Sequence, residues 1–186
     1  MPTIYQAAIQ NFRAASDMLT AILDTRTDAL AEIRSALSSR PRLALADGYA
    51  DVSPKLGACL PKGGRAEWSA NENDTSLELR SSGTDWMTLE VLAPTEAESE
   101  ITTAVVEAKL LVGRDQVIDL FLRDIFEDGT VRDTGHTTVQ LKAGALTLGK
   151  LAIAERQEGC LSRRVILHLR QPAQRIVFEE IAVSFL

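Results

Sequence analysis

The chain has 186 residues, of which 45% are hydrophobic and 25% are charged. This length and balance are those of a folded protein with one good-sized core rather than of a disordered chain. The net charge of −6 argues against nonspecific binding to nucleic acid or to anionic membranes, because both need a basic surface. No apolar run approaches the roughly 20 residues of a membrane span, so membrane insertion is not expected.

The N-terminal sequence MPTIYQAAIQNFR does not have the pattern of a signal peptide. A positively charged start, a continuous apolar block and a small-residue cleavage site are all missing from it. We therefore expect synthesis in the cytoplasm without a signal peptide. If the protein belongs to a particle, we expect its release by lysis.

Cys59 and Cys160 lack the paired spacing of a zinc site or a redox motif. Two alternatives stay open for them. They are plain thiols, which the spacing favours, or they form a disulfide with each other.

A helical segment is predicted over residues 3–40, because this stretch contains no Gly or Pro and Pro41 closes it. Within it, one set of residues is spaced alternately by three and four, as in the heptads of a coiled coil. This set is Ile9, Phe12, Ser16, Leu19, Leu23, Arg26, Leu30, Ile33 and Leu37.

Two interpretations of this segment stay open. In the first, residues 1–40 form a stalk that gathers two or three copies of the chain, with Ser16 and Arg26 as polar positions in its seam. In the second, the helix breaks near Thr25–Asp28 and its apolar stripe packs on the chain's own domain. The regular seven-residue spacing favours the stalk, so residues 1–40 are predicted to be an oligomerisation or anchoring segment.

After the helix, residues 41–64 are rich in Gly and Pro and are predicted to be a linker or wrap with at most one short strand. Over residues 65–186, alternating apolar and polar runs separated by turn signals predict a β-sandwich domain. Its strands are Ala66–Ala70, Ser76–Arg80, Trp86–Leu92, two strands within Ile101–Phe126, Thr137–Leu141, Leu146–Ile153, Arg163–Arg170 and Arg175–Phe185. No helical pattern separates them, so the sheets are expected to be antiparallel.

The segment Ile101–Phe126 contains two apolar runs of period two on either side of Gly113–Asp115. We predict that it forms a β-hairpin with one apolar face. In the last strand, the apolar residues change side between Phe178 and Ile181. A β-bulge at Glu179–Glu180 would bring both sets inward.

Sequence patterns of enzymes are missing. No G-x-S-x-G turn presents a serine, and no glycine-rich loop joins a strand to a helix to hold a phosphate. His136 is predicted to lie in a turn and His168 on the solvent side of a strand. Carboxylate pairs such as Glu179–Glu180 give little support to a glycosidase, because an acidic protein offers many such pairs. We expect no enzyme.

One acidic turn is a candidate metal site. Asp124 and Asp128 lie with other oxygen donors around Gly129, a pattern that suits a hard cation such as Ca²⁺. The residues E-D-G-T also form an ordinary hairpin turn, which is the favoured alternative. A structural calcium ion is the only cofactor that the pattern suggests.

The better candidate for function is a surface of polar side chains that point outward from the strands. Rows of charged and imidazole groups can donate to and accept from sugar hydroxyls without chemistry. The predicted ligand-binding residues are Trp86, Glu107, Lys109, Asp119, Arg123, His168 and Arg170. Tyr49, Trp68 and Trp86 are candidate aromatic platforms, although Trp68 is predicted to be buried. Any sandwich also shows polar residues to water, so a plain solvated surface stays open.

Residues 65–186 resemble the jelly-roll β-sandwiches of the galactose-binding-like and carbohydrate-binding-module group. The order of the strands, the W-S-A segment, the turn S-S-G-T-D-W and the closing V-I-L-H-L-R and R-I-V-F-E-E-I-A-V-S-F carry this resemblance. It implies a non-catalytic glycan-binding fold, sometimes with a structural calcium. Helical heptads ahead of a sandwich are also similar to phage-type fibre or spike proteins, which anchor to a particle and bind a cell-surface polysaccharide.

The sequence thus predicts a mainly β protein, an antiparallel jelly-roll β-sandwich preceded by a long N-terminal α-helical segment. The expected partners are a glycan or polysaccharide and further copies of the chain, as a dimer or trimer, with no nucleic acid. The alternative function is a structural or assembly protein whose sandwich contacts another protein without binding sugar.

Overall fold

The computed structural model describes residues 3–70, 75–94 and 101–186, so residues 1–2, 71–74 and 95–100 of the predicted segments lie outside the described residues. The described elements are α1 (Ile4–Thr25), β1 (Thr27–Asp28), α2 (Ala29–Leu37), β2 (Arg42–Leu45), β3 (Gly48–Ser53), β4 (Leu56–Leu60), β5 (Arg65–Ala70), β6 (Leu77–Ser82), β7 (Trp86–Leu92), β8 (Thr103–Val112), β9 (Gln116–Phe126), β10 (Val131–Leu141), β11 (Leu146–Ala152), β12 (Cys160–Arg170) and β13 (Arg175–Phe185). Within these ranges, neither helix is long and apolar enough to span a membrane.

The strands form two antiparallel sheets that pack face to face. The seven-stranded sheet has the order β11-β8-β13-β6-β5-β2, with β1 paired to β13, and the six-stranded sheet has the order β10-β9-β12-β7-β4-β3. Both bury their apolar faces in one core, which includes Trp68, Leu89, Leu120 and Phe178. The predicted fold class, a mainly β antiparallel sandwich with an N-terminal helix, is confirmed, and so is the burial of Trp68.

The central segment does not form the predicted hairpin. β8 pairs with β11 and β13 in the seven-stranded sheet, whereas β9 pairs with β10 and β12 in the six-stranded sheet. Gly113–Asp115 therefore carry the chain from one sheet to the other. Alternation shows which face of a strand is apolar, but two such faces are buried equally well side by side or opposite each other. Here they lie opposite each other across the core.

The irregularity predicted in the last strand is present. The register of β13 against β8 shifts between Phe178 and Glu180, which leaves Glu179 without a directly opposite residue. Phe178 and Ile181 are both buried, at 1% and 2% exposure. The bulge therefore turns both apolar sets toward the core, as the change of side in the sequence indicated.

Residues 41–64 contain three strands, and the prediction of at most one was wrong. β2 pairs with β5 in the seven-stranded sheet, while β4 lies between β3 and β7 in the six-stranded sheet. The residues that suggested a linker lie in the tight turns between these short strands, Pro54 between β3 and β4 and Pro61 and Gly63 between β4 and β5. Closely spaced turns look like a linker when the strands between them are only four to six residues long.

The N-terminal helical segment breaks at Arg26, so a single stalk over residues 3–40 was wrong and the break of the second interpretation is present. Thr27 and Asp28 pair with Val183 and Ala182 of β13. The Asp28 side chain then caps α2 by accepting a hydrogen bond from the backbone N–H of Ala31 at 2.9 Å. Heptad spacing indicates an apolar face but does not reveal this interruption, because the spacing continues across the break.

The two helices have different environments. α2 buries Ala29, Leu30, Ile33 and Leu37 against the sandwich. α1 is anchored at its C-terminal end, where the Thr25 hydroxyl donates to the carbonyl oxygen of Phe185 at 2.8 Å and accepts from its N–H at 3.1 Å. The apolar side chains of α1 are exposed, with Tyr5 79%, Phe12 78% and Leu23 69% accessible. Only the second half of the heptad pattern therefore packs on its own domain.

Candidate ligand-binding groove

Most of the predicted ligand-binding residues lie on the outer face of the six-stranded sheet. The strand register places Asp119, His168, Thr88 and Cys59 in one row across β9, β12, β7 and β4. A recess of about 350 Å³, here called the groove, is lined by Cys59, Trp86, Thr88, Asp119, Phe121, Arg123, His136 and His168. A second recess of about 580 Å³ adjoins it, because Trp86 and His168 line both and Arg170 belongs to the second.

Asp119 of β9 accepts hydrogen bonds from side chains of two neighbouring strands, β10 and β12, at one end of the groove. Arg170 donates from Nε and Nη2 to its two carboxylate oxygens, the second bond being 2.8 Å long. The Thr138 hydroxyl donates at 2.8 Å, and His168 Nδ1 lies 3.4 Å away. Burial acts to raise the pKa of Asp119, but these bonds outweigh it and hold the pKa below its ordinary value. Asp119 is therefore a fixed anion at neutral pH, and its acceptor positions are used by Arg170, Thr138 and His168.

Four rings from four strands form a continuous aromatic wall. The Trp86 and His168 rings are 5.8 Å apart at 52°, and the His168 and Phe121 rings are 6.4 Å apart. His136 stacks on Phe121 with centroids 4.9 Å apart at 28°. Phe121 is only 7% exposed, so it forms the floor of this wall. Trp86 is half-buried and His136 is exposed, so both rings are accessible to solvent.

Arg123 is held above the groove floor by two carboxylates. It donates from Nε and Nη2 to the two oxygens of Asp133, both at 2.8 Å, and its Nη1 lies 3.7 Å from Glu90. Glu90 is buried and accepts a hydrogen bond from the Thr88 hydroxyl at 3.0 Å. The guanidinium also sits 5.5 Å from the centre of the Phe121 ring. Such bidentate pairing fixes the direction of the remaining N–H groups.

Tyr49 and Arg164 border the groove on the side of β3. The Tyr49 ring lies over Gly57 of β4, where an added Cβ would come within 2.3 Å of the Tyr49 hydroxyl oxygen. The Arg164 guanidinium stacks 4.9 Å from the ring centre and donates to the hydroxyl oxygen, which itself donates to Asp51 at 2.6 Å. Burial, aided by the hydrogen bond to Asp51, raises the pKa of Tyr49 to about 12.

Two predicted residues lie on the opposite sheet. Glu107 and Lys109 are on β8, so they point from the outer face of the seven-stranded sheet and cannot share a ligand with the groove. Glu107 accepts a hydrogen bond from Arg26 at 3.0 Å, and Lys109 pairs with Glu179. Arg26 also bonds Glu180 at 2.6 Å, and burial together with the neighbouring Glu107 raises the pKa of Glu180. The prediction of one shared surface was wrong, because it assumed that β8 and β9 are neighbours.

Asp124 and Asp128 do not fit a calcium ion. Asp124 is 3% exposed, and both its oxygens accept hydrogen bonds from Arg163, at 2.7 and 3.2 Å. Asp128 lies in the turn before β10, where it accepts from the N–H and the hydroxyl of Thr130 at 2.9 and 2.6 Å. In the described ranges, no group of three or more His, Cys, Asp or Glu side chains is arranged to hold a metal ion.

Cys59 and Cys160 are both free thiols, which was the favoured alternative. Cys59 lines the groove and is the only thiol there. Burial, with a further contribution from the negative charge of Glu90, raises the pKa of this thiol. A protonated thiol is a weak nucleophile, so the groove is poorly suited to cysteine chemistry.

Some groove residues were missed at the sequence level. Phe121 alternates with the buried Leu120 and Leu122, so a large apolar residue on the polar side of a strand was the available signal. His136 was predicted in a turn but lies in β10, between Thr134 and Thr137 where the register against β9 shifts. No local pattern marks a bulge of this kind, because it depends on the partner strand.

No family model matches the chain, and no curated protein matches it. Among solved structures, a family 11 carbohydrate-binding module from Clostridium thermocellum, in complex with a β-1,3-1,4-mixed-linked tetrasaccharide, is 13% identical, with 77% of this chain and 95% of the module covered at a TM-score of 0.46. The CBM22-1 xylan-binding domain of Paenibacillus barcinonensis Xyn10C is 11% identical, with 77% and 92% covered, also at 0.46.

A third similar structure is the enzymatically active domain of tailspike protein 4 from bacteriophage CBA120. It is 8% identical, with 79% of this chain but 20% of that chain covered and a TM-score of 0.40. The two modules are β-sandwiches of the group that residues 65–186 resemble. Likeness at these identities and TM-scores assigns no ligand and no activity to this chain.

Proposed function

We propose that the protein is a non-catalytic glycan-binding module whose ligand lies in the groove. The observation that carries the proposal is the combination of an aromatic wall with charged groups that are already paired. A sugar ring has an apolar C–H face and a rim of hydroxyls, so it needs a flat apolar surface beside groups that both donate and accept. The accessible rings of Trp86 and His136 each provide such a surface.

The paired charges provide the donors and acceptors. In the Arg170–Asp119 and Arg123–Asp133 pairs, two nitrogens of each guanidinium bond two carboxylate oxygens, which leaves a further N–H on each arginine. The Asp133 oxygens also keep further lone pairs, whereas those of Asp119 are already used by Arg170, Thr138 and His168. The Arg123–Asp133 pair therefore presents a donor and an acceptor side by side, the arrangement that neighbouring hydroxyls of a sugar require, and Arg170 adds a further donor. The pairs are also held in place before a ligand arrives, which lowers the entropy lost on binding.

The pKa shifts of Asp119 and Cys59 in the groove favour binding over catalysis by these two residues. Asp119 has a lowered pKa, so it does not carry the proton that a general acid needs at neutral pH. Cys59 has a raised pKa and stays protonated. At neutral pH, Asp119 and Cys59 therefore act as fixed hydrogen-bonding groups.

Glycan binding can be tested with a panel of soluble polysaccharides and isothermal titration calorimetry. We expect Trp86→Ala and Arg123→Ala each to weaken binding by about fivefold or more, because central contacts of an interface cost above about 1 kcal/mol when truncated and about 1.4 kcal/mol is a factor of ten. Arg80→Ala is the control, since Arg80 is an ion-paired arginine on the seven-stranded sheet. Failure of the unmodified protein to bind any polysaccharide of a broad panel would rule the proposal out.

We also propose that α1 gathers copies of the chain, so that several grooves act together in a fibre or spike associated with a particle and released by lysis. The exposed apolar side chains of α1 support this self-association, since large contiguous apolar surfaces usually mark interaction sites. The same observation favours a second candidate, an assembly protein without sugar binding. The two differ in the calorimetric result, because an assembly protein forms a stable protein complex and gives no heat with any sugar.

A further inference from the structure

The exposed apolar face of α1 is broader than the seam between two helices. In the heptad pattern, position a is filled by Ile9, Ser16 and Leu23. Position d is filled by Tyr5, Phe12 and Leu19. Position g continues the same seven-residue spacing with Ala8, Ala15 and Ile22. At 3.6 residues per turn, these three positions together span about 140° of the helix surface. A two-stranded coiled coil uses only a and d, whereas helices of a bundle use a, d and e or g.

The composition of this face suits identical partners. None of its nine positions carries a charge, and the charged residues of α1 lie outside it, Arg13 at position e and Asp17 and Asp24 at position b. Copies of the helix can therefore approach without placing like charges against each other. Ala8 and Ala15 are also small enough to let helix backbones come close, which a partner of a different shape would not require.

The junction at Arg26 keeps the face away from the chain's own sandwich. Arg26, the C-cap residue of α1, is bonded to Glu107 at 3.0 Å and to Glu180 at 2.6 Å on the seven-stranded sheet. These bonds and those of Thr25 fix the direction in which α1 leaves the domain. Phe12 and Leu19 remain 78% and 61% exposed as a result. Most of the stability of a helix in a protein comes from packing of its apolar face, so this face of α1 needs a cover.

We infer that α1 packs against α1 of at least two further copies of this chain, in a bundle whose interior contains positions a, d and g. This rests on the proposed self-association and adds the number of copies and the buried face. In a two-helix seam, position g lies at the flank and tolerates a charge. In a bundle of three or more helices, each helix contacts two neighbours, so position g is covered.

The test compares two matched double variants of the full chain by light scattering coupled to gel filtration. Ala8→Glu with Ala15→Glu places two charges at position g, and Ala7→Glu with Ala14→Glu places the same charges on the opposite side of the same helix. We expect a mass of at least three times the 20.3 kDa of one chain for the unmodified protein and for the second variant. The first variant should fall to two chains or one.

Circular dichroism of both variants controls for helix content, which the two substitutions should affect equally because both replace Ala by Glu. If the unmodified chain and both variants are dimers, the bundle is overturned but self-association is not. If the unmodified chain is a trimer and the first variant is a trimer too, the burial of position g is overturned. An unmodified chain that is a monomer overturns the inference and the proposed self-association together. None of these outcomes bears on glycan binding by a single groove, which calorimetry measures separately.

Discussion

The Tyr49 ring can lie beside the groove because residue 57 is a glycine and has no side chain. Any Cβ at residue 57 would overlap the Tyr49 hydroxyl, so Gly57 is what allows the ring to lie over β4 and beneath Arg164. The ring in turn places the Arg164 guanidinium and the Asp51 carboxylate at fixed positions. Tyr49, Arg164 and Asp51 thus hold one another in place, so the one methyl group that an alanine at residue 57 would add is enough to disturb all three.

We predict that Gly57→Ala displaces the Tyr49 ring and lowers its pKa from about 12 toward the ordinary value of about 10. The hydroxyl would lose its burial and its bond to Asp51. A raised pKa means that the folded state holds the proton more tightly, so this stabilisation is present below about pH 10 and is lost as the pH rises through about 12. Absorbance at high pH follows the ionisation, and Tyr49→Phe identifies the signal. An unchanged titration in Gly57→Ala would show that the ring does not need this space.

The break between α1 and α2 separates an element that belongs to the core from one that does not. Asp28 starts a new helix, and Leu30, Ile33 and Leu37 are at most 8% exposed. Fully burying an aliphatic side chain of this size contributes about 1.5–3 kcal/mol. α2 is thus part of the sandwich in energetic terms, although it continues the heptad spacing of α1.

Two truncated chains should differ sharply for this reason. A chain that begins at Thr25 keeps α2 and should unfold cooperatively within a few degrees of the full chain. A chain that begins at Arg42 loses Leu30, Ile33 and Leu37 and should melt at least about 10 °C lower, since each kcal/mol is worth about 2–4 °C in a chain of this size. Thermal unfolding followed by circular dichroism measures both. Equal melting temperatures would mean that α2 contributes little to the core.

At the scale of the whole molecule, the groove and helix α1 belong to different sheets of the sandwich. The groove is on the six-stranded sheet, whereas the Arg26 junction and α1 are anchored to β8 and β13 of the seven-stranded sheet. The proposed self-association through α1 would therefore leave the groove open to solvent. Several open grooves on one assembly would bind a long polymer together, with a gain that comes from effective concentration.

We predict that Leu19→Glu, which places a charge at position d, yields a monomer that binds a soluble oligosaccharide as well as the unmodified protein does. On an immobilised polysaccharide, the monomer should bind about 10²–10⁴ times more weakly, because only the assembly benefits from several sites. Surface plasmon resonance on the polymer and calorimetry with the oligosaccharide give the two values. Equal affinity on both would contradict the cooperation of several grooves.

From residue 65 onward, local sequence determined where most strands lie, which face of each is buried and where β13 bulges, because alternation and its change of parity are properties of neighbouring residues. It also placed Asp119, Arg123, His168 and Trp86 on outward positions. Only the tertiary structure decided which strands are neighbours, since an apolar face is satisfied by any other apolar face. That choice put β8 and β9 in different sheets, removed Glu107 and Lys109 from the groove and brought Tyr49 to its edge.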